Sequence, residues 1–64
     1  MVKINGGDQD AAGMTLLQYL ETGNYNIKRL VAEINGEIIP RDKYGQTILR
    51  DEDTVELISF VGGG

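Results

Sequence analysis

The sequence predicts an α+β domain, a mixed sheet with one main helix packed on one face. Three observations carry this. Apolar residues alternate with polar ones in short stretches near both ends, at Val2 and Ile4 and again from Val55 to Val61, which reads as strands. A helix signature with its own cap lies between them, at Thr15 to Gly23. Two Asn-Gly pairs, Asn5-Gly6 and Asn35-Gly36, mark tight hairpin turns. Strands combined with a single helix that covers one sheet face make an α+β layer.

The elements follow in order. Val2 and Ile4 alternate with Lys3 and Asn5, giving a first strand with one buried face. Asn5-Gly6 turns the chain, and the partner strand is expected near Gly7 to Ala12. That stretch is poor in β-branched residues, so the second strand is expected to be short or irregular. Thr15 is an N-cap with Gln18 three residues on, the spacing of a capping box. Met14 and Tyr19 sit at the positions of a hydrophobic staple. Leu16, Leu17 and Leu20 form one apolar stripe, and Gly23 suits the left-handed position that ends a helix. The helix is expected over Leu16 to Thr22, too short to stand without packing on a sheet.

Asn24, Tyr25 and Asn26 read as a loop. Leu30, Ala32 and Ile34 alternate with Val31 and Glu33 in a further strand. Asn35-Gly36 leads to a short segment, Glu37-Ile38-Ile39, which Pro40 ends because it has no N–H for a ladder. Arg41 to Gln46 is polar and fits a single helical turn, and Thr47 to Leu49 can cover the core edge. Asp51-Glu52-Asp53 reads as a solvated turn, with a salt-bridging contact to a basic enzyme as the sharper alternative. In the last strand Val55, Leu57, Ser59 and Val61 share one face, and Glu56, Ile58 and Phe60 the other. Val55 and Leu57 are expected inward. Ile58 and Phe60 are then left on the open face, as a docking patch or as ordinary exposed residues. Pairing of the first and last strands at the sheet centre would make this a β-grasp, which spacing alone does not establish.

Composition narrows the function. Sixty-four residues make one domain with a small core. Cysteine and histidine are both absent, which excludes thiolate–zinc sites and nucleophilic sites built on Cys–His or Ser–His. The net charge of −4 and six scattered Lys and Arg leave no basic stripe for nucleic acid. No apolar run approaches the roughly 20 residues that span a bilayer, and no secretory leader opens the sequence. The expectation is a cytoplasmic partner or substrate of enzymes, bound neither to nucleic acid nor to membrane. Arg41 reads as a loop-bracing residue, and Lys3, Lys28 and Lys43 carry no distinguishing signal.

The last strand feeds directly into Gly62-Gly63-Gly64. Residues 1–61 are expected to form the domain and 62–64 a flexible C-terminal glycine tail. Glycine lacks a Cβ, so such a tail can enter a channel that larger side chains would block. From Val61 to Gly64 it would reach roughly 13 Å at about 3.3–3.6 Å per residue. The expected reacting atom is the terminal carbonyl carbon of Gly64. A frayed terminus is the plain alternative.

These residues together resemble the ThiS family of sulfur carrier proteins, small ubiquitin-like β-grasp domains that end in Gly-Gly. The resemblance rests on the opening strand ending Asn5-Gly6, on Val31 to Arg41 with Asn35-Gly36-Glu37 and Pro40-Arg41, on the acidic turn Asp51 to Asp53, and on Val55 to Gly64. It covers nearly the whole chain and departs at Gly7 to Gly13, where a clearer second strand is usual. The resemblance implies a protein cosubstrate rather than an enzyme. The Gly64 carboxylate would be adenylated by an E1-like adenylating enzyme (ThiF-type) using ATP and Mg²⁺. A persulfide donor would convert it to a thiocarboxylate, and a thiazole synthase (ThiG-type) would take the sulfur for the thiazole ring of thiamine. It further implies that this chain binds no cofactor or metal of its own, and that Gly63 and Gly64 pass through the partner's channel while Gly62 and Val61 join the tail to the sheet; the exposed Ile58 and Phe60 of the last strand are the candidate partner-binding residues beside it. Three alternatives stay open: the small-subunit carrier of a molybdopterin synthase, a ubiquitin-like modifier joined to lysines, and a binding module with an inert tail.

Overall fold

The computed structural model describes residues 1–60; Val61 and the glycine tail at Gly62 to Gly64 lie outside the described residues. The chain forms β1 (Val2–Ile4), β2 (Gly7–Gln9), α1 (Leu16–Thr22), a 3₁₀ helix (Ile27–Arg29), β3 (Leu30–Ile34), β4 (Glu37–Ile39), a second 3₁₀ helix (Arg41–Gln46) and β5 (Thr54–Ser59). The five strands make one sheet in the order β2-β1-β5-β3-β4. The first and last strands therefore do meet at its centre, in parallel. The hairpin pairs and β3–β5 are antiparallel. This mixed sheet with one main helix is a β-grasp.

Register explains the centre. Val55 lies between Ile4 on β1 and Ile34 on β3, and all three point into the core. The inner face of the sheet also supplies Val2, Leu30, Ala32 and Leu57. Leu16 and Leu20 of α1 are fully buried in the same cluster, with Leu17 half-buried beside it. Each buried leucine contributes about 1.5–3 kcal/mol, which is what keeps a seven-residue helix formed. β2 is only three residues long and exposed throughout, in keeping with its lack of β-branched residues.

Helix α1 begins as the local sequence requires. The Gln18 N–H donates to Thr15 Oγ1 at 3.1 Å, and the Thr15 N–H donates to Gln18 Oε1 at 2.9 Å, closing the capping box. Its end differs from expectation. Gly23 has φ −86°, and the left-handed residue is Asn24 at φ 60°. The Asn24 N–H donates to Glu21 O at 3.2 Å and the Tyr25 N–H to Leu20 O at 3.0 Å, which is a Schellman motif placed one residue later. Gly23 serves another need, since a Cβ there would sit 2.6 Å from the Tyr25 ring. That ring packs beside Tyr19 with centroids 6.2 Å apart.

The connection after β4 contributes more core than its polarity suggests. Tyr44, in the 3₁₀ helix, is buried, and so is Leu49. Residues 47–49 run along the start of α1 through Leu16 N–H to Thr47 O, Leu49 N–H to Met14 O and Gly13 N–H to Leu49 O, each at 2.8 Å. Leu49 thereby closes the core edge, while Ile48 points outward.

Candidate functional site: the open sheet face and the exit of β5

α1 covers one face of the sheet, and among the described residues no helix covers the other. Along β5 the alternation buries Val55 and Leu57 and turns Glu56 and Ile58 outward. Ile58 keeps 48% of its surface and Phe60 57%, as the sequence predicted for the open face. Two neighbours on this face were not foreseen. Val31 lies opposite Ile58, and Ile38, 67% exposed, lies on β4 opposite Glu33. The signal for Ile38 was present: in Glu37-Ile38-Ile39 two adjacent apolar residues of a strand cannot share a face, and Ile39 pairs inward with Ala32. Glu33 and Glu56 face each other directly across β3 and β5, so the apolar surface has an acidic centre.

The end of β5 leads toward the glycines, and its main chain is held from both flanks. On the β3 side the Phe60 N–H donates to Arg29 O at 2.8 Å. Arg29 ends a 3₁₀ helix that Asn26 caps through Lys28 N–H at 3.1 Å, and Arg41 Nη2 donates to Lys28 O at 3.3 Å. Arg41 is thus a loop brace. On the β1 side the strand has already turned away at Gly6, and the Asn5 side chain takes over. Its Oδ1 accepts from Leu57 N–H at 2.8 Å and its Nδ2 donates to Leu57 O at 3.4 Å. The sequence marked Asn5 as a turn former only. Its partner 52 residues away left no local trace.

The other end of β5 is held similarly. Asn35 Oδ1 accepts from Thr54 N–H at 3.0 Å, and its Nδ2 donates to Asp53 Oδ1 at 3.0 Å. Asp53 Oδ2 accepts from Arg50 N–H at 3.0 Å, and Asp51 pairs with the Met1 amine at 2.8 Å. The acidic turn is therefore braced through Asp53, with Asp51 in an exposed pair beside it. The Asp51 hydrogen bond, with the charges of Asp51, Glu52 and Asp8, raises the amine's pKa above its ordinary value. An open polar cleft of about 300 Å³ lies at this end, between Lys3, Asp8 and Thr54, away from Phe60. Among the described residues no cluster of acidic side chains could hold a metal ion, and no helix is long and apolar enough to cross a membrane. Val61, Gly62, Gly63 and Gly64, the remaining site residues named from the sequence, lie outside the described residues.

Comparison with known proteins places this geometry. The profile of the ThiS family matches residues 2–64. The sulfur carrier protein ThiS of Bacillus subtilis is 34% identical over 68 residues, covering 100% of both chains. A thiazole synthase of Paramagnetospirillum magneticum is 34% identical over 62 residues, 95% of this chain but 19% of that protein. The chain thus spans about a fifth of the length of the thiazole synthase it matches. The crystal structure of the thiamine biosynthesis protein ThiS from Geobacter metallireducens superposes with a TM-score of 0.78 at 28% identity, over 98% of this chain and 97% of that one. With its β-grasp sheet and its family match across the whole length, the chain belongs to the ThiS family, the sulfur carrier proteins of thiamine biosynthesis.

Proposed function

We propose that this chain carries sulfur as a thiocarboxylate on Gly64 and is consumed as a cosubstrate rather than acting as an enzyme. The observation that carries the reading is the full-length match to a sulfur carrier, combined with a sequence in which Gly62-Gly63-Gly64 follows two residues after the final strand. A carboxylate resists attack by nucleophiles. An E1-like adenylating enzyme using ATP and Mg²⁺ would join the Gly64 carboxylate oxygen to AMP with loss of pyrophosphate. A persulfide sulfur then attacks the carbonyl carbon and AMP leaves. A thiol cleaves the resulting acyl disulfide and frees the thiocarboxylate. ATP and Mg²⁺ belong to the activating partner in this reading.

This chain's contribution is presentation. Gly63 and Gly64 enter the partner's channel with no side-chain bulk, Val61 and Gly62 join them to the sheet, and the open face with Ile58 and Phe60 docks the partner's surface. Exposed apolar residues grouped on a strand beside the reacting end suit that task. A thiazole synthase is the favoured acceptor, because a thiazole synthase contains a segment similar to this chain in about a fifth of its length. No comparable observation favours molybdopterin synthase.

Intact-mass spectrometry tests the reading. Incubation with ATP, Mg²⁺, an E1-like enzyme, a persulfide donor and a thiol should add about 16 Da, the replacement of one terminal oxygen by sulfur. Removal of Gly63 and Gly64 should abolish the gain, and Phe60→Asp should slow it with Tm unchanged. No gain from the intact chain with a competent enzyme would refute the carrier reading.

A further inference from the structure

We propose that Asn5 is a positioning residue for the reacting terminus. Its carboxamide substitutes for the residue that β1 lacks, and so fixes the place where β5 leaves the body.

On its β1 side, β5 is bonded in steps. The Lys3 N–H donates to Asp53 O and the Asn5 N–H to Val55 O, both at 2.9 Å. The next rung belongs to Leu57, whose N–H and C=O face the same flank. By then the backbone has turned at Asn5, φ 50°, and Gly6, φ 85°. The Asn5 carboxamide, with one acceptor and one donor, meets both Leu57 groups as a peptide unit would. One rung further, Ser59 main-chain groups on this flank have no partner among the described residues. Among the described residues, Asn5 is therefore the last anchor on one side, and Arg29 O to Phe60 N–H the last on the other. Ile58, in the proposed docking patch, lies between these two anchors.

Loss of the carboxamide leaves the turn intact but lets Leu57 to Phe60 fray. A partner must then reorder that segment before the terminus can enter its channel. That cost falls on docking, not on the chemical step once docked. The inference rests on the carrier reading for its kinetic arm, but its structural arm is independent of it.

The test uses Asn5→Gly, which keeps the positive-φ turn and deletes only the carboxamide. Asn35→Gly, the same change at the other end of β5, is the matched control. Hydrogen exchange on the unbound chain should show Leu57 losing protection in Asn5→Gly and keeping it in Asn35→Gly. In adenylation by the E1-like enzyme, Asn5→Gly should raise the KM for the carrier about tenfold, the scale of one to two lost hydrogen bonds, with kcat within about twofold. Asn35→Gly should change neither KM nor kcat beyond about twofold despite a similar fall in Tm. Equal KM effects in the two variants, or unchanged Leu57 protection in Asn5→Gly, would overturn the assignment. Failure of the intact chain to gain sulfur would instead sink the carrier reading, leaving hydrogen exchange to decide whether Asn5 holds the exit.

Discussion

The Asn5-Gly6 and Asn35-Gly36 turns have matching backbones, with φ of 50° and 85° in the first and 53° and 87° in the second. Both are type I′ hairpin turns, and both follow an isoleucine paired with Val55. Their side chains nevertheless grip opposite ends of β5, Asn5 at Leu57 and Asn35 at Thr54. The cause is strand direction. β1 runs parallel to β5, so its turn lies beyond Val55 toward the exit; β3 runs antiparallel, so its turn lies toward the entrance. The same dipeptide thus does different work according to the direction of the strand before it. One end of β5 leads to the glycines, and the other sits in a cluster of acidic residues.

Val55 is the shared support, and its loss gives the largest effect. It is fully buried between Ile4 and Ile34. Val55→Ala should cost about 2–3 kcal/mol in denaturant unfolding. It should also lower the exchange protection of the Thr54 and Leu57 amides together. A loss confined to one of them would mean that the two turns are not coupled through this residue.

A smaller effect separates the turns. Asn35 Nδ2 donates to the Asp53 carboxylate, whereas Asn5 Nδ2 donates only to a peptide carbonyl. Asn35→Asp sets two carboxylates against each other and should cost about 1–2 kcal/mol near pH 7, given the exposure of the pair. Asn5→Asp keeps the acceptor for Leu57 N–H and should cost less. The sign with pH is fixed. Mutual repulsion raises a carboxyl pKa in the folded Asn35→Asp variant above its unfolded value, so the loss is full above that raised pKa and recovers as pH falls through it. Equal pH profiles for the two variants would remove the distinction between the ends.

What the sequence disclosed follows the range of each interaction. Helix α1 was legible in both bounds because Thr15 and Gln18 satisfy each other within one turn. The inward Val55 and Leu57 and the outward Ile58 and Phe60 were legible because strand alternation is a local rule. The left-handed residue that follows α1 was misplaced by one position, at Gly23 instead of Asn24, because Gly23 answers to the Tyr25 ring, not to backbone handedness. Tyr44 was missed as core because one aromatic among charged residues leaves no periodic signal. The two asparagines were legible as turns, yet their grip on β5 was not, since those bonds span 18, 19 and 52 residues. The site thus divides: its apolar face was written in alternation, and its anchoring in contacts that only the fold creates.

The smallest effect belongs to the Met1 amine and Asp51, at the entrance end of β5. Their separation of 2.8 Å is short, but both are exposed, at 61% and 71%. The same segment is already held by main-chain bonds, Glu52 N–H to Met1 O at 3.0 Å and Lys3 N–H to Asp53 O at 2.9 Å. Asp51→Asn should therefore leave Tm unchanged within error at physiological salt, where exposed pairs are screened. A pH series is the finer probe. The folded amine's pKa is raised above its unfolded value, so whatever the pair contributes is complete below the ordinary amine value of 8.0 and lost as pH rises through the raised one. The parent chain should lose slightly more stability than Asp51→Asn over that alkaline span, and the two curves should converge above it. A clear Tm loss in the variant at neutral pH would instead make the N-terminal pair a third anchor of β5, and the entrance would then depend on more than Asn35.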